Sequence, residues 1–472
     1  MSATPGIVLK TLLSPRRWIE SWYGAYGILG AVSSGIIPIT LPLMISHLTG
    51  QLSTVGFVMG AFNLGAITSP LWGNLGDRTK HFRPIFFGGL TAEALCLVAF
   101  PLVHGLLLWF LIALGMGMST AAVATCATLM VVEFHPPDEW TPRIGWLQTF
   151  NGAGQAIGLL LAGILATAGY RVALWTGAAM LLPAIGLGIW GLKRPSLKAM
   201  TDATVNMNWL HTHPDFTPIG QFARVELLGG GIFRHFSAIN ISAMKNIKTL
   251  LPTRFGRFML SIFAMFLGIS GFFAYFPLFL KSVFRIAPSA TAFAYAVTAA
   301  VGVSLYALAG RWSKRLGASG IYLAGRVLRL SAFGLMLTAM FIGQTTVAAD
   351  LAFASFSLVV LAWPIISVSA TELTSELSPM GQGVAQGLYN ASTAVGTVLG
   401  TYIAGALVGS MGFRSIPIMA VVGLFLSLVI DGFPRKGNAT GVPAPGGVAP
   451  AAPAPAAPPA PAPAAVPPLA AP

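Results

Sequence analysis

The sequence predicts an all-α polytopic membrane protein with twelve transmembrane helices in two pseudo-symmetric six-helix bundles. Three observations predict it. Apolar residues make up 55% of the 472 residues and charged residues only 8%, against about 25% charged in a soluble domain. No soluble fold of this length has interior enough to hide that composition. The apolar residues fall into runs of the length that crosses about 30 Å of hydrocarbon as a helix. Finally, glycine spacings in the first half of the chain recur in the second.

Apolar runs between charged or Pro/Gly-rich breaks give six spans over 22–46, 53–74, 84–103, 107–131, 145–167 and 171–191. Six more lie over 257–280, 288–309, 319–342, 349–370, 383–407 and 413–431. The resulting organisation is an N-terminal segment 1–21, a bundle 22–192, a polar connector 193–256, a second bundle 257–432 and a tail 433–472. The last 32 residues hold 12 Pro and 13 Ala. Such a segment has little to bury and is expected to be disordered. Within the connector, Phe236–Leu251 spaces apolar residues mostly three or four apart, with Lys245 and Lys248 among them, and reads as an amphipathic helix on a membrane face.

Charge sets the orientation. Lys and Arg number 27 against 13 acids, a net charge of +14. They collect between the apolar runs, which argues for membrane topology rather than nucleic-acid binding. With the N-terminus in the cytoplasm, 21 basic residues lie on the cytoplasmic side and 4 on the other, leaving Arg326 and Arg329 inside a span. Both termini are therefore expected inside, as in a bacterial inner membrane. Met1–Gly6 lacks the basic start of a cleavable signal peptide. Cys96 and Cys126, the only cysteines, lie in apolar runs and form no disulfide framework.

The repeat rests on glycine register. Gly154, Gly158 and Gly163 are matched in spacing by Gly396, Gly400 and Gly405, each set leading to a short turn, Gly169–Arg171 or Gly412–Arg414. Gly145 matches Gly387, and Gly65 and Gly73 match Gly302 and Gly310. Small residues at four-residue spacing let helices approach closely in lipid. Two similar halves with binding between them is a transporter architecture.

The loop after the second span reads Gly73-Asn74-Leu75-Gly76-Asp77-Arg78-Thr79-Lys80. It resembles the loop motif of the major facilitator superfamily, Gly-x-x-x-Asp-Arg-x-Gly-Arg-Arg, with Gly73, Asp77 and Arg78 matching and Lys80 in place of the second Gly. The second-half loop, Gly310 to Gly317, keeps both glycines but has Lys314 in place of the acid. The resemblance implies a secondary transporter working by alternating access, and no enzyme. It implies a latch from Asp77 to about 378–383, and pairing of Arg78 with Glu133. Gly73, Asp77, Arg78 and Glu133 are the expected gating network. Two exporter features of the superfamily are missing: Phe110–Gly115 carries no Arg, and the fifth helix reads Gly154-Gln155 rather than Gly-Pro.

Charges at bilayer depth are costly and mark function by default. Glu93, near the middle of the third span, is the candidate for proton coupling, since burial favours the neutral form of a carboxyl. Its alternative is a neutral packing role. Arg326 and Arg329, three apart on one face, are expected to contact lipid headgroups or an anion. The spans that line the cavity in this superfamily show no central charge. The expected cavity residues are Ser33, Thr40, Thr120, Gln148, Asn151, Gln155, Tyr275, Trp363 and Asn390, a set suited to a neutral or amphipathic solute. Asn151 and Asn390 each follow an aromatic residue, which suggests substrate contact or an interhelical hydrogen bond.

The His211-x-His213 pair with Asp215 reads as surface histidines rather than a metal site. No Gly-x-x-x-x-Gly-Lys-Ser/Thr loop is present, and no cofactor is expected. The expected partners are a small organic substrate, protons and membrane lipids, with no nucleic acid and a functional monomer. Proton-coupled export leads. Uptake of a neutral or weakly charged metabolite is the alternative within the class, and a non-transporting receptor or assembly factor the alternative outside it.

Overall fold

The computed structural model describes residues 18–79, 81–192, 252–379 and 382–432, and every regular element in them is a helix. The order is α1 (Tyr23–Thr49), α2 (Leu52–Ala66), α3 (Ser69–Thr79), α4 (Phe82–Ala99), α5 (Leu106–Phe134), α6 (Pro137–Leu165) and α7 (Tyr170–Gly191). Then come α8 (Arg254–Phe284), α9 (Pro288–Leu316), α10 (Ala318–Ile342), α11 (Thr346–Leu377), α12 (Gln382–Met411) and α13 (Ser415–Asp431). Among the described residues, ten helical stretches are long and apolar enough to cross a membrane. The chain is an all-α, multi-pass membrane protein. Of the other helices, α6 spans 29 residues and α13 spans 17. Polar Gln148, Asn151 and Gln155 dilute α6, and all three line a cavity.

The turns alternate between two ends of the molecule. The proximal end is where α7 stops at Gly191 and α8 starts at Arg254; the distal end holds the short turns between α1 and α2, α6 and α7, and α8 and α9. Sequence chemistry explains these boundaries. Gly50 ends α1 in the left-handed region, at φ 63°, with its N–H donating to the Ser46 carbonyl. The Thr253 and Thr345 side chains accept from the N–H groups of Gly256 and Ala348 and start α8 and α11.

The middle of α1, Gly30–Ile36, is π-helical. A stretch with i→i+5 bonds is rare and collects at functional sites. Against it runs α6, whose Gly154 and Gly158 lie on the carbonyls of Gly27 and Ala31; any β-carbon there would collide with backbone. The second half uses its glycines alike: Gly396 and Gly400 lie on the carbonyls of Phe263 and Leu267 of α8. The third glycine of each set points elsewhere. Gly163 meets Ser289 and Ala292 of α9, and Gly405 meets Ser53 and Gly56 of α2. So two glycines weld each long pair together, and the third touches the other half of the chain.

Candidate functional site

The two groups of helices meet tightly at the distal end. Tyr275 of α8 reaches α2, where its hydroxyl donates to the Leu52 carbonyl at 2.5 Å and accepts from the Gly56 N–H at 2.7 Å. A β-carbon built on Gly56 would stand 2.5 Å from the Gly405 Cα, so these backbones touch with nothing between them. Further in, Asn63 Nδ2 donates to Thr401 Oγ1 at 3.1 Å.

Proximal to this seal lies a cavity of about 1050 Å³. Ser33, Ser34, Asn63, Gln148, Asn151 and Gln155 line one side; Phe266, Phe273, Tyr295, Tyr306, Arg329 and Trp363 line the other. Toward the proximal end Gly145, Gln148, Thr149 and Tyr306 are exposed. The walls offer aromatic surface and amide hydrogen-bonding groups. Pro364 interrupts α11 beside Trp363 and removes the helix donor for the Val360 carbonyl.

Glu93 stands behind the first wall, 0% exposed. Ser33 Oγ donates to its Oε1. Thr120 Oγ1 lies 3.2 Å from Oε2 and 3.0 Å from the Met116 carbonyl, so its one proton serves one of them at a time. Ser33 comes from the π-helical part of α1 and also faces the cavity. A hydroxyl can donate or accept, so this pocket can serve the carboxyl with or without a proton. Glu93 faces protein, not lipid.

The arginines of α10 depart from expectation. Both are buried, at 1% and 0% exposure, so the expected contact with lipid headgroups is corrected. Arg326 Nη2 pairs with Asp431 Oδ2 at 2.7 Å, and its Nη1 donates to the Ser427 carbonyl at 3.0 Å and the Ser261 hydroxyl at 3.1 Å. Its guanidinium lies 4.1 Å from the Tyr322 ring centroid. Arg329 faces the cavity. Its Nε and Nη2 donate to the Val359 carbonyl at 3.2 and 2.9 Å, while Nη1 meets no protein acceptor. The expectation that the cavity carries no central charge is overturned by a residue read as peripheral.

At the proximal end Glu20 gathers the segment before α1, the end of α5 and the start of α6. It accepts from Trp22 at 2.7 Å and Arg143 at 2.8 Å and meets His135 at 2.6 Å. Burial raises its carboxyl, but His135, Trp22 and Arg143 together hold it below its ordinary value of 4.5.

The family profile described as Major Facilitator Superfamily matches residues 24–382. The chain belongs to the Major Facilitator Superfamily. Members are transporters, a non-catalytic class. Multidrug resistance protein 2 of Bacillus subtilis (strain 168) is 24% identical over 405 residues, covering 84% of this chain and 90% of that protein. A crystal structure of a mutant of the nucleoside transporter NupG superposes with a TM-score of 0.65 at 16% identity, covering 87% of this chain and 98% of that one. A second NupG structure gives 0.61 at 14% identity, covering 87% and 95%. At such identities these structures share the superfamily fold and nothing more specific.

Within that fold the expected site residues scatter. Ser33, Gln148, Asn151, Gln155 and Trp363 line the cavity. Thr120 joins Glu93 instead. Thr40 is buried outside the lining, and Asn390 is exposed outside it. Tyr275 belongs to the distal seal, so its cavity role is corrected. It sits between Ala274 and Phe276, both of which line the cavity, and neighbours on a helix face different ways. Gly73 is buried in α3. The side chains of Asp77 and Arg78 lie outside the described residues, as do Phe236–Leu251, the 211–215 histidine cluster and the tail. Sequence reasoning missed Asn63, Tyr295, Tyr306 and the cavity-facing position of Arg329.

Proposed function

We propose that this chain is a secondary active transporter in which two six-helix bundles, 22–192 and 257–432, alternate access to one central cavity. The observation that carries it is the cavity itself, walled by both helix groups, exposed at its proximal end and closed distally by direct backbone contact. The glycine pattern supports it. Two glycines bind each pair into a rigid body, while the third meets the opposing body at a face able to part. In this reading the proximal end, where the basic residues collect, is cytoplasmic, which makes the state inward-facing.

Proton-driven export of an amphipathic organic compound is the direction and drive we assign. Glu93 is the proton carrier: buried, held by hydroxyls alone and separated from the cavity by Ser33. The name of the Bacillus relative favours export, and the aromatic and amide walls suit an amphipathic solute. Asp77, Arg78 and Glu133 form the proximal latch in this reading, and one chain suffices.

Everted vesicles energised by respiration test it, with a set of labelled amphipathic compounds of different charge. Accumulation of at least one compound is expected, abolished by an uncoupler and lowered tenfold or more by Glu93→Gln, which should retain solute-for-solute exchange. If no compound of any charge moves while the protein is present in the membrane, the transport reading falls. If flux ignores both the uncoupler and Glu93→Gln, proton coupling at Glu93 falls.

A further inference from the structure

The α10 helix carries two buried arginines one turn apart, and they are treated differently. Arg326 is neutralised by Asp431 and bonded to Ser261 and Ser427; its Nε is unbonded, but the residue is not part of the cavity lining. Arg329 has no carboxylate partner among the described residues, and its Nη1 points to no protein acceptor. A buried cation without a counter-charge is expensive, and buried polar groups are nearly always bonded. Arg329 is also the one charged side chain among the described residues that line the cavity.

Its surroundings have a consistent chemistry. The guanidinium lies 5.6 Å from the Trp363 ring centroid and 5.9 Å from that of Phe273. Tyr295 and Tyr306 bring hydroxyls to the same wall. A planar guanidinium presents fork donors to an oxyanion and stacks on aromatic faces. The bonds to Val359 fix the fork while leaving one amino group free.

Glu93 gives the placement a second meaning. It stands eleven residues after Phe82, the first residue of α4, and Arg329 stands eleven after Ala318, the first of α10. Each is bonded by the helix that follows, through Thr120 of α5 or Val359 of α11. Corresponding positions of the two halves thus hold a buried acid and a buried base.

We infer that Arg329 is the recognition site for an anionic group on the transported compound, which is an amphipathic organic anion whose flat apolar body rests on Trp363 and Phe273. The inference rests on the transport reading and names its substrate class. A proton on Glu93 and an anion on Arg329 would each quench one buried charge, in the half of the molecule that holds it.

The test uses the full chain in lipid nanodiscs and three probes of one shape: naphthalene-1-sulfonate, 1-naphthalenemethanol and trimethyl(1-naphthylmethyl)ammonium. Calorimetric titration is expected to show the sulfonate binding at least tenfold tighter than the alcohol, and the ammonium weakest. Arg329→Gln should bring the sulfonate down to the level of the alcohol, and monodisperse elution with unchanged helical circular dichroism shows that the variant is folded. Arg329→Lys should fall between, and decides the matter if the Gln variant does not assemble. Sulfonate binding no tighter than that of the alcohol, or unaltered by Arg329→Gln and Arg329→Lys, overturns the inference. If the sulfonate has no such advantage while the alcohol or the ammonium binds and a neutral or cationic compound is carried in vesicles, only the role of Arg329 is lost. If none binds and nothing is carried, the transport reading is lost with it.

Discussion

Replacing Gly56 with valine places a branched side chain where two backbones touch. Its β-carbon would stand 2.5 Å from the Gly405 Cα, 2.9 Å from the Gly405 nitrogen and 2.8 Å from the Tyr275 hydroxyl. Carbon atoms rest at about 3.5–4.0 Å, so α2 and α12 must part by about 1 Å. Overpacking of this kind costs about 1–3 kcal/mol. Stretching the two Tyr275 hydrogen bonds adds about 1 kcal/mol. Only the distally closed state bears this cost, because the helices separate in the other. At about 1.4 kcal/mol per tenfold, a penalty of about 2–4 kcal/mol moves the balance between the states by about 30- to 700-fold. The readout is a cysteine in the cavity, Thr397→Cys, in a background carrying Cys96→Ala and Cys126→Ala. A membrane-impermeant maleimide is applied to either side of sealed vesicles. Distal labelling should rise tenfold or more with Gly56→Val and proximal labelling should fall. Gly88→Val is the control, since a β-carbon there meets nothing within 4 Å. Equal distal rates in the parent and Gly56→Val would refute the claim that this contact is the seal.

Three smaller perturbations follow from the same geometry. Tyr275→Phe removes both hydroxyl bonds to α2 at about 1 kcal/mol each, together about 30-fold in the balance between states, and should raise distal labelling toward the low end of the range worked for Gly56→Val. Asp431→Asn strips the counter-charge from buried Arg326; a loss of about 3 kcal/mol should lower the melting temperature in detergent, and the apolar pair Arg326→Met with Asp431→Leu should recover most of it. Glu20 is held below 4.5 by its partners, so its contribution is complete above its unfolded value and is lost as pH falls through the lower folded one. The melting-temperature advantage of the wild type over Glu20→Gln, worth up to about 1 kcal/mol for a partly exposed cluster, should hold at neutral pH and shrink below about pH 4.5. An advantage that grows on acidification would contradict that sign.

The helices were legible because hydrophobic length is a local property. Predicted spans at 171–191 and 319–342 nearly coincide with α7 and α10. Where helices outrun the apolar run, as α11 does to Leu377, hydropathy loses them, because a helix continues into water without an apolar signal. The π-helical turn of α1 was invisible, since Gly30–Ile36 has no compositional mark. The site was half legible. Polar residues along α6 announced one wall. The state of Arg326 depends on Asp431, 105 residues away, and no local pattern reveals such a pairing. Arg329 was misplaced for the same reason: position along a span gives depth, but the facing direction is set by tertiary packing. A signal did exist, for Glu93 and Arg329 stand at matching depths once both helix starts, Phe82 and Ala318, are known.

The distal seal is made of backbone and one neutral hydroxyl. Gly56, Gly405, the Leu52 carbonyl and the Tyr275 hydroxyl compose it, whereas at the proximal end Glu20, His135 and Arg143 gather their charges. The two mouths of the cavity therefore answer to different solvents. Salt and acidity act on charges and reach the proximal mouth. The distal mouth is a dry fit between surfaces of fixed shape, indifferent to ionic strength and sensitive to whatever presses on the helices from outside, bilayer thickness and lateral pressure above all.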